Sequence, residues 1–350
     1  MIYYIFPYFS LFLLILLINK KNLSSSTLSV LLLLFLAPAI LLVILRGNVG
    51  TDTINYLGFF KDLSNESNVH EYEPGFQFLS YVINLFGFNE RVNIAFISSL
   101  TILLLCKSYS SSKEHILLFS SFLFPIFFYD MTMNGLRYGL SFALSSVAID
   151  ALYKKKNFNF ILLALFSISI QYSSFFIIIV FLIFKLNKKI LIVLFLLVLA
   201  VSPFIVDFFT NNLAYFYDKQ DLYKDVASPS ATSGLVPLFL FLLLFLIFYF
   251  YSEKTNSKKI LFLILLLEIG SFMLAKITYA GLRFQMLFLF SLVLLIKQEF
   301  YCIAKKKEFV MLIISLGIFG FLSTAKNLTA NVEDVASPFI PYKFFWQENE

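Results

Sequence analysis

Only four arginines occur in the 350 residues, Arg46, Arg91, Arg137 and Arg283, and the neighbours of three of them suit anion chemistry. Arg46-Gly47-Asn48, Asn134-Gly135-Leu136-Arg137 and Ala280-Gly281-Leu282-Arg283 each set one guanidinium among small or polar residues. A guanidinium grips phosphate oxygens through two parallel N–H groups and keeps its charge at physiological pH, while glycine admits close backbone approach to a ligand. Arg91, beside Glu90, reads as a side chain reaching for lipid headgroups. Three carboxylates stand near in sequence and could accept a proton: Asp52 just past Arg46, Glu73 further along the same segment, and Asp130 shortly before Arg137. Sequence proximity suggests that Arg46 orients Asp52. The run Val49 to Tyr56 is dense in hydrogen-bonding side chains, with Thr51 and Tyr56 as candidate substrate contacts and Tyr138 beside Arg137 as another. Asp52 equally suits the N-cap of a helix over Ile54 to Leu63, and both roles stay open. His70 is a lone loop histidine of the kind usually left solvated, and His115 sits at a span boundary with no partner in its pattern.

The elements that position these residues are membrane spans. A chain that is 60% hydrophobic and 14% charged, with a mean hydropathy of +0.86, is no water-soluble domain. Apolar runs of span length predict an all-α, polytopic membrane protein of about twelve helices, at 2–18, 27–45, 90–106, 115–129, 137–152, 158–170, 173–186, 190–206, 235–251, 260–275, 282–297 and 309–323. Every second connection is rich in lysine, from Lys20 and Lys21 through Lys154 to Lys156 to Lys305 to Lys307 with Lys297. The positive-inside rule therefore puts these connections in the cytoplasm and both chain ends outside. All four arginines then fall at or near the outer face, and the surplus basic charge is a topology signal with no bearing on nucleic acid. The first span lacks a basic leader and a small-residue cleavage site, so it stays a span and not a signal peptide. Cys106 and Cys302 fall at cytoplasmic ends, where a disulfide is not expected.

One transmembrane domain, 1–350, thus carries three external segments, 46–75, 207–234 and 324–350. Phe76 to Phe88 is too short to cross and suits a re-entrant or interfacial helix. From Asn157 to Lys185 there are 29 residues between two lysine-rich connections, yet two full crossings need about 40. The tip of this hairpin, with Gln171, should stop short of the surface and floor a recess open to the outside, or else Gln171 simply caps a short helix. In the segment 207–234, Tyr215 and Tyr217 stand among amides and carboxylates, a mixture that fits either a sugar ring or an interfacial aromatic belt. Asp-Val-Ala-Ser-Pro recurs at 225–229 and 334–338 as two similar turns. No phosphate-binding Walker loop and no external Asp-x-Asp metal motif occur, so neither a metal nor any other cofactor is expected.

The arrangement of Arg46 with Val49-Gly50-Thr51-Asp52-Thr53 and Tyr56, Glu73-Pro74-Gly75-Phe76, Arg137-Tyr138-Gly139-Leu140, Gln171-Tyr172-Ser173-Ser174 and Arg283 resembles the EpsG-type branch of the Wzy polysaccharide polymerases over residues 1–300. That resemblance implies a glycosyltransferase at the outer face of the bacterial cytoplasmic (inner) membrane. It would join undecaprenyl-diphosphate-linked oligosaccharide repeat units for O-antigen, lipopolysaccharide, capsule or exopolysaccharide, with membrane lipids and a chain-length regulator as partners. Asp52, Glu73, Arg137 and Arg283 would be catalytic, and Arg46, Thr51, Tyr56, Asp130, Tyr138, Gln171, Tyr215 and Tyr217 would bind substrate. The family often has His where Gln171 stands, which removes a histidine proton acceptor here. A polysaccharide flippase and a lipid-linked glycan ligase are the competing readings. The absence of a visible repeat between the two halves speaks against a transporter.

Overall fold

The computed structural model describes residues 2–19, 23–64, 72–183, 233–276, 278–329 and 337–347. Among the described residues there are thirteen helices and no strand. They are α1 (Ile2–Asn19), α2 (Ser25–Ile44), α3 (Thr53–Ser64), α4 (Pro74–Asn84), α5 (Glu90–Tyr109), α6 (Lys113–Asn134), α7 (Leu136–Tyr153), α8 (Asn157–Ile170), α9 (Ser174–Ile183), α10 (Leu235–Tyr251), α11 (Thr255–Leu274), α12 (Tyr279–Ile303) and α13 (Lys307–Thr329). Five of them, α2, α5, α6, α12 and α13, are long and apolar enough to cross a membrane, and α1, α8, α9 and α10 are shorter apolar helices. The chain is a multi-pass, all-α membrane protein. Eleven of the twelve expected spans coincide with helices, while 190–206 lies outside the described residues.

The described residues group into two compact units, Met1–Phe175 with Ile296–Glu350, and Phe176–Leu295. In the first unit, α3 and α4 from the segment expected to be external pack on α5, α7 and α8. Tyr56, Phe59, Phe60, Phe76, Ile97, Leu140 and Ile170 close one apolar core between them. The short α4, eleven residues long, is too brief to cross, as the sequence leads one to expect for Phe76 to Phe88. In the second unit the buried Glu268 of α11 accepts a hydrogen bond from Gln285 of α12 at 3.0 Å, and Gln285 also donates to the Gly234 carbonyl at 3.1 Å.

Two π turns interrupt α6, at Phe119–Leu123 and Asp130–Asn134. Pro125 explains the first, since its ring crowds the carbonyl four residues back, that of Ser121, and has no N–H to give it. Gly317 of α13 lies against that carbonyl so closely that a Cβ would sit 1.6 Å from its oxygen, and a Cβ on Gly320 would meet Ile126 at 2.4 Å. A pair of glycines thus sets the packing of α13 on α6, as small residues do between membrane helices. Nothing in the sequence marks the second π turn, which closes with Gly135 N donating to the Asp130 carbonyl at 3.0 Å.

One expectation needs correction. Lys297 is not a loop charge: α12 runs on to Ile303, and the side chain is only 1% exposed. Its ammonium donates to both carboxylate oxygens of Asp150 at 2.7 Å and to Ser108, and lies 4.5 Å from the centroid of Tyr109. Ser108 and Gln298 also donate to Asp150, at 2.7 and 3.1 Å. The network joins α5, α7 and α12 inside the first unit, where a buried lysine persists only with such partners.

Candidate functional site

Past the end of α2 the chain is captured by the segment 337–347. Phe345 N donates to the Leu45 carbonyl at 3.1 Å, Gly47 N to the Lys343 carbonyl at 2.9 Å, and Gly50 N to the Pro338 carbonyl at 3.0 Å, with Arg46 and Phe344 paired in an antiparallel bridge. Tyr342 Oη donates to the Leu42 carbonyl at 2.7 Å and Tyr4 Oη to the Phe339 carbonyl at 3.1 Å. With its backbone held on both sides, the Arg46 side chain turns inward and is 4% exposed. Its Nη1 donates to the Thr132 carbonyl at 2.6 Å, and the same carbonyl accepts from Ser98 Oγ at 2.9 Å. That carbonyl belongs to the second π turn. Nε and Nη2 of Arg46 are buried and have no hydrogen-bond partner among the described residues. Burial pushes its pKa down to about 10, against the opposing pull of the Tyr342, Tyr4 and Tyr56 phenols, so Arg46 is a cation at neutral pH.

The run Val49 to Thr53 docks on that same π turn. Gly50 has φ +107, and a Cβ there would stand 2.9 Å from the Met133 carbonyl oxygen, so this position demands glycine on both counts. Thr51 N donates to Asn134 Oδ1 at 3.2 Å, and Thr53 Oγ1 to the Val49 carbonyl at 2.7 Å. The Asp52 carbonyl accepts from Tyr56 N at 3.1 Å, which places Asp52 at the N-cap position of α3. Its half-buried carboxylate takes no side-chain hydrogen bond among the described residues. Arg46 gives its hydrogen bond to Thr132 and not to Asp52.

Glu73 stands in extended backbone just before Pro74 and α4, the conformation a following proline imposes. Its Oε2 accepts from Arg137 Nη1 in an ion pair. The guanidinium of Arg137 lies 4.2 Å from the Tyr72 ring centroid and is hydrogen-bonded to Tyr56, while its Nε is buried without a partner among the described residues. Tyr56 lies within electrostatic reach of both Arg46 and Arg137. Burial raises the pKa of its phenol, Arg137 draws it back down, and Asp52 adds to the rise. Gly75 is packed on the last turn of α8, where a Cβ would fall 2.2 Å from Ser169 Oγ. Gln171 itself is the extended C-cap of α8: its N–H donates to Ser167, and its carbonyl accepts from the N–H and Oγ of Ser174 at 3.0 and 2.9 Å.

The structure therefore brings Arg46, Asp52, Tyr56, Glu73 and Arg137 together, with Gln171 at the adjoining turn. Asp130 and Tyr138 hydrogen-bond to each other, and Asn134 Nδ2 donates to Asp130 at 3.1 Å, so this group braces the π turn. Arg283 is exposed near the start of α12 in the second unit. Tyr215 and Tyr217 lie outside the described residues. Sequence reasoning overlooked Tyr72, the Thr132 carbonyl, and Tyr4 with Tyr342, whose aromatic rings gave no signal among so many.

A family model described as the EpsG family matches residues 28–344. No curated protein and no solved structure matches the chain. The matched region contains the charged residues of the site, Arg46, Asp52, Glu73 and Arg137, and the bridge residue Phe344, and the chain belongs to the EpsG family of polysaccharide-polymerase-type membrane proteins.

Proposed function

We propose that this chain lengthens polysaccharide at the outer face of the bacterial cytoplasmic membrane by transferring a growing glycan from undecaprenyl diphosphate to a hydroxyl of another lipid-linked repeat unit. The observation that carries the reading is the pair of arginines, Arg46 buried and Arg137 half-buried, with buried N–H groups left unpaired among the described residues. Buried donors without partners are costly, and a diphosphate would satisfy them in charge-assisted bonds. In the reaction the acceptor oxygen attacks the anomeric carbon, the bond from that carbon to the phosphate oxygen breaks, and the bonding pair leaves with the lipid diphosphate. Arg46 and Arg137 stabilise that developing charge.

The attacking hydroxyl passes its proton to Asp52. Its carboxylate is free of side-chain hydrogen bonds among the described residues, whereas that of Glu73 is engaged in the ion pair with Arg137. Glu73 and Tyr72 hold the Arg137 fork in place, Thr51 and Tyr56 line the approach, and the backbone of Gln171 fixes the neighbouring turn. A membrane fraction containing the full chain, supplied with lipid-linked repeat units, should yield a ladder of polymer and free undecaprenyl diphosphate. Transport of the intact lipid-linked unit across vesicles without any ladder would instead establish a flippase.

A further inference from the structure

We infer that the chain holds one anionic phospholipid in a cleft at the lysine-rich end of the first unit, far along α6, α12 and α13 from the polymerase residues. A cavity of about 600 Å³ opens there between the ends of α1, α6, α12 and α13. Its two ends differ in chemistry. Lys113, Lys305 and Lys307 stand at one end with a single acid, Glu114. None of the three ammonium groups is paired with a carboxylate among the described residues, and Lys305 lies over the Tyr301 ring at 5.4 Å. The other end is aliphatic.

The order of residues along the helices gives the cleft its direction. On α13, Lys307 is followed by Val310, Met311 and Ile314, which share its face at spacings of three, four and seven. On α6, Leu117 lies one turn below Lys113. At 1.5 Å per residue the stripe from Lys307 to Ile314 runs about 10 Å into the membrane. Met311 is 64% exposed and Ile314 37%, so the stripe is open to hydrocarbon. A cluster of cations above an apolar channel of this length matches a phosphate headgroup above the first carbons of an acyl chain. Basic pockets between helix ends on the cytoplasmic side bind anionic headgroups in this way. Tyr301, the one aromatic residue of the lining, has Lys305 over its ring, and the aliphatic floor offers no polar groups for a base or a sugar, which disfavours a nucleotide or a glycan. The inference stands apart from the polymerase reading, since it uses none of those residues.

The test is native mass spectrometry of the full-length chain, delipidated in detergent and titrated with phosphatidylglycerol or phosphatidylcholine of identical acyl chains. The expected result is one phosphatidylglycerol retained, with phosphatidylcholine at least about tenfold weaker. K113Q/K305Q/K307Q should lose that preference, each lysine near a headgroup contributing roughly fivefold, whereas K154Q/K155Q/K156Q, an equal charge loss in another exposed connection, should keep it. Ala304→Trp fills the cleft without touching charge and should also weaken binding, which keeps the test decisive if the triple variant folds poorly. Equal binding of both lipids, an equal loss in the two triple variants, or full retention by Ala304→Trp would each overturn the inference. Displacement of phosphatidylglycerol by equimolar undecaprenyl phosphate would overturn it too, by making the carrier lipid the occupant.

Discussion

Two regions of the first unit bury cations, and they treat the N–H groups in opposite ways. Around Lys297 every donor is used: Asp150 takes two, Ser108 takes the third, and Tyr109 covers the remaining face. Around Arg46 and Arg137 the protein supplies one carbonyl, one carboxylate and one phenol, and three guanidinium nitrogens stay buried without partners among the described residues. A saturated cation is a structural pin, since nothing further can be bound by it. An unsaturated one stores a binding capacity, maintained by the surrounding packing. Burial alone does not separate the two regions, whereas donor saturation does.

The strongest way to break this contrast is to remove the unsaturated cations. Arg46→Ala or Arg137→Ala should lower polymer output by at least about a hundredfold, the scale of losing one oxyanion-stabilising donor, with membrane abundance near wild type by immunoblot. The saturated site should answer oppositely. Lys297→Met or Asp150→Ala alone leaves a buried charge unmatched and should cost about 3–5 kcal/mol of stability, read as a lower melting temperature in detergent. Polymer formed per folded molecule should stay unchanged, and Lys297→Met combined with Asp150→Leu should recover most of the loss.

Smaller effects sharpen the comparison. Burial already lowers Arg46 to about 10, and lysine starts from an ordinary value of about 10.4, so the same burial brings an ammonium at this position toward neutrality. Arg46→Lys should be weakly active, and its activity should rise as pH falls through neutrality, because the protonated form is the binding form. A pH profile parallel to that of wild type would refute this. Glu73→Gln keeps a hydrogen bond to Arg137 and should lose about tenfold or less, while Asp52→Asn, which caps α3 equally well, should lose the ladder and retain donor binding. Gln171→Ala should change output by less than about twofold, since its backbone makes the turn.

What was legible in the sequence followed from local periodicity and from proline and glycine. The break at Gln171 between α8 and α9, the helix beginning at Thr53 and the short α4 behind Glu73-Pro74-Gly75 were all readable, because apolar run length and turn chemistry act within a few residues. The contacts that make the site were not. Arg46 meets Thr132 across 86 positions and Arg137 meets Glu73 across 64, and a single sequence contains no record of such pairings. Lys297 lies 147 positions from its partner Asp150 and escapes for the same reason: near a loop it looks like any topological lysine until its burial is known. The π turn that exposes the Thr132 carbonyl has no compositional mark at all.

The embrace of Arg46 by the segment 337–347 also sets an order of assembly. Tyr342 reaches Leu42 across 300 positions, and Phe345 closes on Leu45, so one wall of the arginine pocket is synthesised long after the other has entered the bilayer. The Arg46 pocket is therefore closed late, when the final strap seats, and a chain stalled before Pro338 would lack the carbonyls and the phenol that hold the backbone around Arg46.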